Sequence, residues 1–150
     1  MSVSLNKSTR YALYASLELA RAAPGEPVPV SWVAERYRIP EGPLAKVLQQ
    51  LVRAGLAVGT RGVGGGYRLT RDPSEISVLE VIAAFEPPRP PGSCLLDEGG
   101  DDCRVLGTCR LRRLFDEVDD LARAAFASTS LETLVLAPDS AVALGGRRRS

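Results

Sequence analysis

Histidine is absent from all 150 residues. That absence removes the Ser-His and Cys-His arrangements of nucleophilic catalysis, together with the side chain most often used to bind metals. No apolar run approaches the roughly 18 residues of a membrane span. The opening "MSVSLNKSTRYALYASLELA" also lacks a long apolar core followed by a small-residue cleavage site. A soluble, cytoplasmic protein without a membrane partner is expected. Net charge is nearly absent too, at +1, and by itself favours no nucleic-acid partner. Cysteine is scarce, and all three thiols fall in "CLLDEGGDDCRVLGTC", from Cys94 to Cys109. An odd number cannot pair off completely, and clustering in one segment is unlike the dispersed cysteines of secreted scaffolds, so a metal or redox role is the better starting point.

What is present is unevenly distributed. The first 72 residues hold ten Lys/Arg against five Asp/Glu, whereas residues 73–150 hold nine against thirteen. The basic half is suited to phosphates. With 45% hydrophobic residues, the chain can bury one core, or a small domain plus an interaction appendage.

The spacing predicts three helices and a hairpin in that basic half. In "STRYALYASLELARAA" the apolar residues Tyr11, Leu13, Tyr14, Leu17, Leu19 and Ala20 recur at helical intervals, and Pro24-Gly25 ends the run. A short second helix, "VSWVAERYRI", draws its apolar contacts from Trp32, Val33, Tyr37 and Ile39. The third, "PEGPLAKVLQQLVRAGL", tolerates Pro43 in its first turn and lines up Leu44, Val47, Leu48, Leu51 and Val52, with Gly55 as C-cap. Two helices joined tightly, the second exposing Lys46, Gln49, Gln50 and Arg53, match a helix-turn-helix. "LAVGT" and "GYRLTR" then flank a glycine-rich connection and read as a hairpin wing, with Arg61 and Arg68 beside its tip and Arg71 after it. Gly62, Gly64, Gly65 and Gly66 let that tip approach a ligand closely. A nucleotide-phosphate loop would need G-K-[ST] and a helix directly after the glycines, and neither is present; an ordinary surface hairpin remains the competing reading.

Further along, Ser77 and Glu80 make a capping-box pattern that opens "SVLEVIAAFE", closed by Pro87-Pro88. From Arg110, a long helix places Leu111, Leu114, Phe115, Val118, Leu121, Ala122, Ala125 and Phe126 on one side. Such a stripe must be covered, and a two-fold partner would cover it while duplicating the DNA-reading unit, so a homodimer is expected. "TSLE", from Thr129, starts one more short helix. The expected organisation is a winged helix-turn-helix over residues 1–86, a cysteine-rich loop over 87–109, a dimerisation helix with its short follower over 110–136, and a disordered basic tail over 137–150. The fold class is mainly α with one small β-hairpin.

"RYAL", the helix-turn-helix, "RGVGGGYRL" with "ISVLEVI", and three cysteines after that second element occur in an order that resembles the IscR/NsrR superfamily of winged-helix transcription regulators, often called Rrf-two. The resemblance covers residues 5 to 136. It implies a regulator rather than an enzyme, with repression as the expected action on a double-stranded DNA operator. Docking a recognition helix by its N-terminal end brings Glu41, Gly42, Pro43, Ala45 and Lys46 nearest base edges, with Gln49, Gln50 and Arg53 nearer the backbone. Lys7, Arg10, Arg61, Gly62 and Arg68 complete the expected DNA contacts, and the resemblance too gives Arg61 a groove edge.

For the thiols, C-x8-C-x5-C lacks the C-x2-C knuckle of structural zinc sites, and soft thiolates suit iron-sulfur clusters, zinc or copper(I). Cys109 would begin a helix, whose N-terminal dipole favours a thiolate, while Arg104, Arg110, Arg112 and Arg113 could offset cluster charge. Read from the residues alone, a cluster and unligated or redox-active thiols stand level; the resemblance implies an iron-sulfur cluster, two-iron or four-iron, on Cys94, Cys103 and Cys109. Related regulators add a histidine three residues after the last cysteine, or a carboxylate near the first helix. Here Arg112 and Arg10 stand at those positions, which leaves Asp97, Glu98, Asp101, Asp102, an external ligand or the other subunit. An iron with an exchangeable ligand suits a sensor of nitric oxide or oxygen. The alternatives are a cluster-free regulator switched by thiol oxidation or a ligand, and, from another class, an iron-sulfur or thiol oxidoreductase.

Overall fold

A computed structural model describes residues 5–87 and 108–137. Helix α1 (Lys7–Arg21) begins where Asn6 Oδ1 accepts from the backbone N–H of Thr9 at 2.8 Å, a side-chain cap for an otherwise orphaned donor. Its buried face differs from the one that bulk suggests. Thr9, Ala12, Ala15, Ser16, Glu18 and Leu19 are buried, Leu13 and Leu17 are only partly so, and Tyr14 is 48% exposed. Small residues there let neighbouring helices approach closely.

Helix α2 (Val30–Tyr37) stops at Arg38, whose φ of 53° makes it the one non-glycine residue with a left-handed backbone among those described. Ile39 N–H returns to Ala34 O at 2.9 Å, and Pro40 turns the chain into α3 (Glu41–Arg53). The proline fixes that turn and Ile39 anchors it in the core. Helix α3 buries Leu44, Val47, Leu48 and Leu51 as the spacing predicts, whereas Val52 faces solvent. Beyond it Gly55 takes φ +78°, the left-handed conformation expected just past a helix end. Trp32 does not supply the apolar contact expected of it: it is 49% exposed.

Strands β1 (Ala57–Thr60) and β2 (Gly66–Leu69) pair antiparallel, with Ala57 opposite Leu69 and Thr60 opposite Gly66. A third segment joins them. Val28, between α1 and α2, exchanges both backbone hydrogen bonds with Tyr67, at 2.8 and 2.9 Å. A Cβ on Gly66 would collide with the Val28 carbonyl, so the lack of a side chain there serves the chain's own packing.

A 3₁₀ turn (Pro73–Glu75) leads to α4 (Val78–Ala83), which opens with the expected capping box: Ser77 Oγ accepts from Glu80 N at 3.2 Å, and Ser77 N donates to Glu80 Oε2 at 2.9 Å. Helix α5 (Arg110–Ala127) follows the expected bounds closely. Helix α6 (Leu131–Leu136) is capped by Ser130, one residue later than "TSLE" suggests. It also rejoins the first part of the chain. Leu131 N donates to Ile76 O and Val78 N to Thr129 O, both at 2.9 Å, and the Leu131 side chain is wholly buried in one cluster with Ala12, Leu44, Leu48 and Leu51. The core of the winged helix is thus completed by α6.

Candidate nucleic-acid interface

The same period that buries one face of α3 turns Glu41, Gly42, Pro43, Lys46, Gln49 and Arg53 outward, all of them exposed. Glu41 sits in the first turn, where a carboxylate is favoured by the helix dipole and can accept from a base amine. Ala45 is half-buried. Gln50 is also half-buried and engaged at home: its Nε2 donates to Ala84 O at 3.3 Å, and its Oε1 accepts from Arg53 at 3.1 Å. It ties α3 to α4.

Arg61 is exposed directly after β1, and Arg68 is exposed on β2 opposite Val58. Between them Gly62 has φ +97°, and Gly65 N–H closes on Gly62 O at 2.9 Å, making a compact tip that presents Val63 to solvent. Arg71 is placed otherwise. Its guanidinium pairs with Glu80 Oε1 at 2.6 Å and donates to Glu75 O at 3.0 Å, fastening the exit of the wing to the start of α4. Partial burial pushes the Glu80 pKa up, but the bonds from Arg71 and Ser77 outweigh it and hold the carboxyl below its ordinary value. On α1, Lys7 Nζ lies 5.7 Å from the Tyr11 ring centre, and Arg10 is exposed.

One polar constellation escaped the reading of the sequence. Glu18 is buried, and its Oε1 takes bonds from Arg21 at 2.7 Å, from Arg36 at 3.1 Å and from the Tyr37 hydroxyl. Burial first, then the bond to Glu18, push the Tyr37 phenol above its ordinary pKa. The Arg36 guanidinium also lies 5.6 Å from the Trp32 ring centre, and Tyr14 and Tyr37 stack at 4.9 Å. The Glu18–Arg21 spacing of three is visible in the sequence; the contribution of α2 is not.

Of the thiols, Cys109 is described. It caps α5, half-buried, and its Sγ accepts from Arg112 N at 3.4 Å, as a thiol at a helix N-terminus should. Arg110 and Arg113 are exposed beside it. Cys94, Cys103, Arg104 and the carboxylates Asp97, Glu98, Asp101 and Asp102 lie outside the described residues, as do 138–150 of the expected tail. Among the described residues no three His, Cys, Asp or Glu side chains gather as a metal site, and no helix is long and apolar enough to cross a membrane. Helix α5 itself has no buried residue: Leu111 is 60% exposed and Leu121 72%.

The Rrf2 family model, described as an iron-dependent transcriptional regulator, matches residues 5–137. The chain is 37% identical over 140 residues to the HTH-type transcriptional regulator BadM of Rhodopseudomonas palustris, covering 93% of this chain and 86% of that one. It is 34% identical over 131 residues to the HTH-type transcriptional regulator IscR of Photorhabdus laumondii, covering 87% and 78%. Among solved structures it resembles CymR, the global cysteine regulator of B. subtilis, with TM-score 0.72 and 28% identity over 88% of this chain and 95% of that one. It also resembles T. potens IscR, with TM-score 0.70 and 25% identity over 88% and 85%. A winged helix with an outward α3, matched by that family along nearly its whole length, is a DNA-binding regulator rather than an enzyme: the chain belongs to the Rrf2 family of transcriptional regulators.

Proposed function

We propose that the chain acts in the cytoplasm as a homodimeric repressor on a double-stranded operator, reading DNA with the N-terminal end of α3 and with Arg61 of the wing, and that an iron-sulfur cluster on Cys94, Cys103 and Cys109 sets its affinity. The observation that carries the reading is the outer face of α3, where Glu41, Lys46, Gln49 and Arg53 are exposed on a helix whose other face is locked in the core. Lys7, Arg10 and Arg68 are suited to phosphates, and Arg61 to a groove edge. The bare stripe on α5 supports a second copy as its cover.

The surroundings of Cys109 suit an anionic cluster: the N-terminal end of α5 and the exposed Arg110 and Arg113 offset negative charge there. Bound there, a cluster would supply soft iron whose charge and ligation change with redox state, nitric oxide or oxygen. The chain's own part is the connection from Cys109 to the reading domain. Helix α5 runs from that thiol to Thr129 and Ser130, which are bonded to Val78 and bridge Ser77 beside the Glu80–Arg71 pair. The likeness to CymR, as close in fold as that to IscR, keeps a cluster-free, thiol-switched regulator as the second reading.

Duplexes enriched from random sequence by the anaerobic protein test both halves. Arg61→Ala is expected to weaken specific binding at fixed salt by about 1 to 3 kcal/mol, and unchanged affinity removes Arg61 from the interface. Iron and sulfide assays, with visible absorption, should show a cluster that each single Cys→Ala change abolishes. Iron-free wild-type protein whose affinity follows thiol oxidation leaves the second reading.

A further inference from the structure

Val63 stands at the tip of the wing with a relative exposure of 111%, more open to solvent than in an extended chain. Its neighbours Gly62, Gly64 and Gly65 have no side chains, so past Arg61 the tip carries a single one, and that one is apolar. The backbone beneath it is restrained. Gly62 and Gly64 take φ of +97° and +78°, which other residues rarely adopt, and Gly65 N–H closes on Gly62 O at 2.9 Å. A Cβ on Gly65 would collide with the carbonyl oxygens of Thr60 and Gly62. The wing therefore ends in a narrow, fixed ridge with a branched hydrocarbon at its crest.

Width and polarity decide where such a ridge fits on duplex DNA. With α3 directed into a major groove, a hairpin beside it meets the adjoining minor groove, which is only about 6 Å wide. A tip with bulky side chains is too broad for that space; glycine backbone bearing one isopropyl group is not. Arg61 adds the positive charge that narrow A·T tracts attract. On the groove floor the base pairs differ in one group. A·T and T·A present acceptors alone, whereas G·C adds the exocyclic amine of guanine. Val63 offers that amine no acceptor and its methyls displace the water that would, so a donor is left buried and unpaired.

We propose that Val63 is a specificity-determining residue: it enters the minor groove beside the bases that α3 reads and excludes G·C there through the guanine amine. Arg61 supplies attraction next to it, and Val63 supplies rejection. The inference rests on the reading of α3 and the wing given under Proposed function, and it adds a base preference to a part of the wing that makes no hydrogen bond through its side chain.

The amine can be added to the minor groove without altering the major one. In the duplex enriched by the full-length protein, each A·T pair is replaced in turn by diaminopurine·T, which carries that extra amine. At the pair beneath the tip the replacement should weaken binding at fixed salt by at least about fivefold, the size of an ordinary wrong pair. G·C there should weaken it likewise, and inosine·C, which lacks the amine, should restore it. Val63→Ala keeps the restrained backbone and removes both methyls, so its penalty at that pair should fall below about twofold. The readout is the ratio between duplexes, which a general loss of affinity does not change. If no pair answers to diaminopurine, or if Val63→Ala keeps the full penalty, the role of Val63 is overturned while wild-type binding to the unmodified duplex leaves the DNA-binding reading standing. A protein that enriches no duplex overturns that reading, and this inference with it.

Discussion

Helices α3 and α5 carry the same kind of apolar spacing and meet opposite fates. The 13 residues of α3 bury Leu44, Val47, Leu48 and Leu51 beneath α1, whereas the 18 residues of α5 bury none. Periodicity makes a face; only a facing surface makes it a core. For α3 that surface is the small-residue side of α1 around Ala12 and Ala15, close enough for leucines to interlock. For α5 the described part of the chain provides no equivalent cover, although the helix is as well formed as any other. The first region is therefore stabilised by its own fold, whereas the second leaves Leu111, Leu114 and Leu121 exposed.

A charge on the exposed stripe of α5 should have the largest effect. In Leu121→Glu a side chain 72% exposed in the single chain becomes a carboxylate. If α5 is covered by a second copy, two such charges are buried without partners, each costing about 3 to 5 kcal/mol, and sedimentation should show a folded monomer. An intact dimer would mean that the subunits meet elsewhere. The winged helix should still fold in either case, because Leu121 itself is largely exposed in the single chain.

The complementary change is Leu131→Ala. Leu131 follows α5 by only a few residues, but it is fully buried, in the core cluster that also holds Leu44, Leu48 and Leu51. Deleting it should cost about 2 to 5 kcal/mol of folding stability, read as a lower denaturation midpoint with the association state unchanged. A loss below about 0.5 kcal/mol, the size of an ordinary surface change, would show that α6 is not part of this core.

How far the sequence reveals these roles depends on whether the interaction is local. The capping box of Ser77 and Glu80, the proline in the first turn of α3 and Gly55 past its end are contacts within four residues, and each is where the sequence places it. The family was legible as well, because "RGVGGGYRL" and its successors are ordered motifs. What the sequence concealed spans longer separations. Nothing near Leu131 announces that it packs under α1, and nothing near Val28 announces a bridge to Tyr67. Glu18 looks like a solvated charge until Arg36 and Tyr37 arrive from α2. Trp32 and Tyr14 misled in the other sense, since bulk suggested burial and both stand half in solvent beside cationic or aromatic neighbours. Gln50 and Arg71 are each bonded within the fold, because a long polar side chain bonds whichever partner the tertiary structure brings within reach.

The smallest effect is expected at the junction of the two regions, where Ser130 bridges Ser77 and Glu80 holds Arg71. Because the folded carboxyl lies below its ordinary value of 4.5, its contribution is complete at neutral pH and fades as pH falls through the depressed folded value. Both partners are more than a third exposed, so screening limits the pair to about 0 to 1 kcal/mol. Glu80→Gln keeps an acceptor for the Ser77 N–H and removes only the charge. The variant should therefore lose about 0.5 kcal/mol against wild type at pH 7, and the gap should narrow as pH falls below the ordinary carboxyl value of 4.5. Arg71→Ala should follow the same pH course, and the double variant should lose little more than either single one. A gap that stays constant throughout acid titration would assign the stabilisation to the shape of the cap rather than to its charge.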